Sequence, residues 1–149
     1  MLSVVLEEIF ERDLNKLKNE ISSYKDEKNL WVIEESISNS GGNLCLHLIG
    51  NLNHFIGALL GSSGFTRDRD KEFADKNVPR TELISGIGNV IEVVKQTIVT
   101  LSDEDMNKIY PQNVFQKEMT TEYFLVALVA HLNYHLGQIN YHRRLLDKN

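Results

Sequence analysis

A chain of 149 residues with 42% hydrophobic and 25% charged residues and two prolines has the size and composition of one folded domain, spanning 1–149, and not of a disordered or fibrous chain. Its formal charge of −5 argues against a nucleic-acid surface, since phosphate binding needs a basic patch and the dense basic spots are only Arg143-Arg144 and Arg67/Arg69, the latter alternating with Asp68 and Asp70. The lone Cys45 excludes an internal disulfide, Glu7 and Glu8 break any secretory pattern in Met1–Phe10, and no apolar run approaches the about 18 residues of a membrane span, so a cytoplasmic protein is expected.

The first helical segment runs from about Ser3, a candidate N-cap, to Ser23. Val4, Val5, Leu6, Ile9, Phe10, Leu14, Leu17 and Ile21 recur in it at helical spacing. Lys25–Asn29 breaks the pattern, and Trp31-Val32-Ile33 reads as extended or irregular chain. Trp31 either caps one end of the core or lines a cleft mouth. The second segment starts near Ser40-Gly41-Gly42 and ends near Gly61, with a core-facing stripe from Leu44 to Leu60.

Residues 62–79 form a long charged connection. A run such as Arg67–Glu72 reads as a solvated face, with cleft cover or contact to a second subunit as the alternative. The third helix begins after Pro79, with Thr81 as its cap, and reaches about Leu101. Ser102–Asp105 opens a short turn, and Pro111 enforces irregular chain to about Lys117. The fourth follows Thr120 and Thr121 and runs to about Leu146 without a proline. Strand-like alternation is scarce, so the expected fold is all-α: a four-helix bundle with a long charged connection between helices 2 and 3.

Five histidines carry the chemistry. His131 and His135 are four residues apart on the fourth helix, one turn apart on one face, where two imidazoles can grip one divalent metal ion. His47, in the middle of the second helix, can complete the site. The same pair can also be two core-edge side chains bonded to neighbours. Three neutral imidazoles leave a coordination position open, as in catalytic rather than structural sites. Nitrogen ligands suit zinc, nickel, copper or iron(II).

His54 lies seven residues from His47, about 10 Å along the helix axis, so one ion cannot take both. If the second and fourth helices run antiparallel, His54 faces the level of Ala127 and moves away from His142. Both are then expected to be surface side chains. Asn51 and Gln138 sit near candidate ligands, where each either orients an imidazole or is a packing amide. Cys45 points about 160° away from His47 and reads as core. Gly50 and Gly137 interrupt helices, and either close backbone approach or mere tolerance explains them. Tyr134 and Tyr141 share a stripe that reads as packing or an interface.

The segments Asn43–Leu52, Arg67–Ala74 (RDRDKEFA) and His131–Ile139 (HLNYHLGQI) together resemble the DinB/YfiT-like superfamily, over about Leu6 to Leu146. The likeness is greatest to a subfamily of unassigned function. The resemblance implies an up-down-down-up bundle, often a homodimer, with a histidine triad at His47, His131 and His135 and with zinc or nickel as the ion. Relatives of known activity include transferases and isomerases that use low-molecular-weight thiols as small-molecule substrates. The expectation is therefore a metal-dependent enzyme, a thiol-dependent S-transferase, against the alternative of a non-catalytic dimeric bundle that binds a metal or small ligand.

Overall fold

The computed structural model describes residues 1–148. It is helical, with α1 (Leu2–Ser23), α2 (Gly41–Leu52), α3 (Arg69–Ala74), α4 (Arg80–Ile98), α5 (Asp103–Asn107) and α6 (Thr121–Leu146). A 3-10 turn covers Glu27–Trp31, and a π-helical segment, Asn53–Ala58, prolongs α2. Among the described residues there is no strand, only an isolated bridge between Ile109 and Thr120.

The long helices form because their apolar residues share one face. In α1 that face is Leu6, Phe10, Leu14, Leu17 and Ile21, all buried. It packs on α4 and α6, while α2 packs on α6, α4 and α3. Polar contacts fix the levels at which the helices meet. Lys95 of α4 binds Glu11 at 2.8 Å, and Arg80 reaches the Ser22 carbonyl at 3.2 Å. Asn133 and Arg143 of α6 bind Asp13 and Glu20 of α1, both at 2.7 Å. Phe55, just beyond α2, stacks edge-on against Phe124 at the start of α6, with ring centroids 5.2 Å apart. At the other end, Gly41 lies against His142.

Several boundaries differ from the sequence expectation, each for a local reason. Helix α1 starts at Leu2, so Ser3 is a buried residue inside it and not its cap. The second helix does not stay α-helical to Gly61. Tyr110 donates its hydroxyl to the Phe55 carbonyl at 2.5 Å, and Leu59 N–H bonds the His54 carbonyl instead, widening the turn. Pro79, not Thr81, precedes the first residue of α4, which ends at Ile98. Ser102–Asp105 is more than a turn: Ser102 Oγ accepts from Asp105 N–H at 3.1 Å and Asp105 accepts from Ser102 N–H at 3.0 Å, a capping box that starts α5. Trp31 ends a 3-10 turn and covers the N-terminal end of α2, its ring lying where a Cβ on Gly42 would be. None of the described helices is long and apolar enough to cross a membrane.

Candidate metal centre

Helix α2 supplies His47 and α6 supplies His131 and His135. Their packing brings the Nε2 atom of His131 to 3.2 Å from that of His47 and 3.1 Å from that of His135. One nitrogen from each ring lies within 4.8 Å of the others, an arrangement that could hold a metal ion. The three rings stand nearly perpendicular to one another, with centroids 4.5–5.1 Å apart. Ring lone pairs facing one another at such distances repel unless a proton or a cation lies between them.

The outer nitrogens decide which lone pairs face inward. His47 Nδ1–H donates to Glu72 Oε1 at 3.0 Å, and His135 Nδ1–H donates to Gln138 Oε1 at 2.7 Å. Each bond fixes the tautomer that leaves Nε2 unprotonated, the form a metal takes. His131 differs: its Nδ1 is buried without a hydrogen-bond partner, and so is Asn51 Oδ1. Gln138 thus lies where it can orient an imidazole, whereas Asn51 bonds none of the three.

Glu72 is the residue that sequence reasoning missed. The connection expected as a solvated face folds into α3, and Glu72 turns inward until it is 6% exposed. Arg67 holds its carboxylate with two parallel bonds, Nε to Oε2 and Nη2 to Oε1, both 2.8 Å. Only part of the run, from Asp68 to Lys71, faces solvent. Asn43 of α2 anchors α3 by donating to the carbonyls of Glu72 at 3.0 Å and Asp75 at 2.8 Å. Gly50, one turn beyond His47, makes the approach feasible, because a Cβ there would overlap the Glu72 carboxylate. Phe73, the one aromatic side chain among those charges, packs on the His47 ring at 4.9 Å, and that interruption is the signal from which the inward turn could have been read.

Burial opposes charge on Glu72, but hydrogen bonds from His47 and Arg67 and the positive guanidinium hold its carboxyl below the usual range. Burial, and then the neighbouring His135, His47 and Arg67, push His131 down to about 4. Burial also lowers His135, against the opposing bond to Gln138. These rings favour the neutral, ligating form.

The sign of the stability effect follows. Between pH 4 and 6.5, the folded and unfolded values for His131, the unfolded chain binds the extra proton. Protonation of His131 leaves stability unchanged above that window and lowers it as pH falls through it. Unfolding midpoints in urea with EDTA should therefore drop between about pH 7 and about pH 5. A flat profile would show that the rings are not desolvated in this way.

The remaining histidines lie elsewhere. His54 is partly exposed and meets Gln112 at 3.1 Å. His142 is not the surface side chain expected: it is buried, its Nδ1 accepting from Tyr24 Oη at 2.7 Å and its Nε2–H donating to the Val32 carbonyl at 2.8 Å. Cys45 is fully buried. Tyr134 and Tyr141 are exposed.

Two cavities flank the three rings. One of about 520 Å³ is lined by Ser36–Asn39, Leu44, Tyr134, His135, Gln138 and Tyr141. The other, about 240 Å³, holds His47, His131, Asn51 and Arg67 against Phe55 and Phe124.

The family model described as a protein of unknown function (DUF1572) matches residues 3–149. The chain belongs to this family. DUF1572 is DinB/YfiT-like, which agrees with the resemblance carried by the segments around His47, Arg67 and His131. A comparison with curated proteins finds no match for the chain. The family description names no activity.

Proposed function

We propose that the chain is a metal-dependent enzyme, a thiol-dependent S-transferase, in which His47, His131 and His135 hold zinc or nickel. The observation that carries the reading is the convergence of three Nε2 atoms, two of them fixed in the ligating tautomer by Glu72 and Gln138. The donor set fits a borderline-soft divalent ion and leaves a position open for a ligand. A divalent cation held by His47, His131 and His135 would supply Lewis acidity, which favours the thiolate form of a substrate thiol near neutral pH.

The protein's own contribution is positional. Glu72, held by Arg67, fixes the orientation of the His47 ring and the tautomer that turns Nε2 to the site. It is committed to those two partners and is not a free base. Gln138 does the same for His135. Two separate cavities beside the rings suit a reaction with two substrates, one thiol and one electrophile.

The architecture proposed for this site is the up-down-down-up four-helix bundle. Its support is the pairing of levels: Glu11 with Lys95 and Ser22 with Arg80 run α1 against α4, while Asp13 with Asn133 and Glu20 with Arg143 run α1 alongside α6. Gly41 beside His142 and Phe55 beside Phe124 set α2 against α6.

The test is a titration of cobalt-loaded protein with cysteine, glutathione and 2-mercaptoethanol. At least one thiol should shift the visible spectrum and add a sulfur-to-metal charge-transfer band. No change with any thiol would remove the thiol step and leave only metal binding.

A further inference from the structure

The smaller cavity has features that coordination of a metal does not use. Arg67 spends its Nε and Nη2 groups on Glu72, and its Nη1 edge makes no hydrogen bond among the described residues. Arg69, also on the cavity wall, forms no ion pair and no side-chain hydrogen bond among them; its guanidinium lies over the Phe73 ring, 5.1 Å from the centroid. Asn51 is 6% exposed, and its Oδ1 has no donor. Phe55, Phe115 and Phe124 also line the cavity, with the Arg67 guanidinium over the Phe55 ring, 5.6 Å from its centroid.

The balance of charge has one sign. No carboxylate lines the cavity itself, and the nearby Glu72 is already matched by Arg67. Arg69, between the exposed Asp68 and Asp70 in the chain, is in no ion pair among the described residues, and an ion at the three imidazoles would add positive charge. Low-dielectric aromatic walls strengthen the attraction of such charges for an anion. Guanidinium edges with unspent N–H groups match the paired oxygens of a carboxylate. A volume of about 240 Å³ admits only a small molecule, and the three rings favour an apolar body.

We infer that this cavity binds a small organic carboxylate with an apolar body, its carboxylate facing Arg67 Nη1 and Arg69 and its body lying against Phe55, Phe115 and Phe124. A hydroxyl or amine near the carboxylate donates to Asn51 Oδ1. The inference rests on the proposed metal site for the role of this molecule as the second substrate, and on the cavity alone for its charge and shape.

Phenylacetate, its uncharged amide phenylacetamide, and mandelate, which adds a hydroxyl, are the probes. Calorimetry is run on zinc-loaded protein and on protein in EDTA, with inorganic phosphate as the second anion. Phenylacetate should bind at least about tenfold more tightly than phenylacetamide or phosphate, and Arg69→Gln should weaken it by at least about tenfold. Arg69 is exposed on a short helix, so this variant should keep the wild-type circular dichroism and zinc stoichiometry. Mandelate should bind more tightly than phenylacetate, and Asn51→Ala should erase that gain.

Equal binding of acid and amide, or an Arg69→Gln protein that binds phenylacetate as well as the wild type does, overturns the inference. Tighter phosphate binding identifies an inorganic-anion site and overturns it as well. Zinc stoichiometry, measured on the same samples, separates the two readings. Carboxylate binding without zinc binding sinks the metal site and sustains the cavity assignment, and the converse does the reverse.

Discussion

His131→Ala is expected to weaken zinc binding by at least about 100-fold while leaving the metal-free protein as stable as the wild type, or slightly more stable. Replacing a group that only supports a ligand commonly costs 10- to 100-fold in metal affinity, and loss of a ligand itself costs at least the upper end. His131 is the middle member of the triad, 3.2 Å from His47 and 3.1 Å from His135, so its removal separates the other two. Its contribution to the metal-free fold has the opposite sign. Its Nδ1 is buried with no partner, and a buried unpaired polar group costs about 1–3 kcal/mol. Alanine also has the higher helix propensity. Zinc affinity by competition with a chromophoric chelator and unfolding in EDTA check the two halves separately. Undiminished affinity would remove His131 from the ligand set, and a large loss of metal-free stability would make it a structural core residue.

Gly50→Ala should reduce zinc affinity by about 10- to 100-fold, although residue 50 touches no ligand nitrogen directly. The new Cβ would occupy the place of the Glu72 carboxylate, which must swing away and release His47 Nδ1 and Arg67. Glycine to alanine inside a helix favours folding by about 1 kcal/mol, while the broken Glu72 contacts act the other way, so net stability should change by no more than about 1–2 kcal/mol. A change in metal affinity far larger than the change in stability distinguishes this from ordinary overpacking. Glu72→Gln, which keeps the shape but removes the charge, should give an intermediate affinity. If Gly50→Ala unfolds the protein and Glu72→Gln binds zinc normally, Glu72 is a packing residue and not a support of His47.

The helices and the His131/His135 pair were legible because both follow from one-dimensional spacing, whereas His47 entered as a histidine on another helix and through the family resemblance. Apolar residues recur at the α-helical period in α1 and α2, and His131 and His135 differ by one turn. The inward turn of Glu72 had one local signal, the aromatic Phe73 that interrupts the charged run, because a carboxylate beside Lys71 otherwise has the pattern of a solvated one. What buries it lies elsewhere: the missing Cβ at Gly50, the Asn43 amide that anchors α3, and Arg67. His142 was misjudged for the same reason, as its partners Tyr24 and Val32 are more than 100 residues away. The π-helical turn after α2 depends on the hydroxyl of Tyr110, which no reading of residues 53–58 could anticipate.

The most direct test of the shared-cation account is a cobalt(II) titration of metal-free protein, followed by visible absorption and stoichiometry. Saturation at one ion per chain is expected, with the intense d–d bands of a four- or five-coordinate nitrogen site, displacement by zinc, and loss of the bands in His47→Ala, His131→Ala and His135→Ala alike. Weak, non-saturating uptake with the pale spectrum of the aqueous ion, or bands that survive in all three variants, would contradict it.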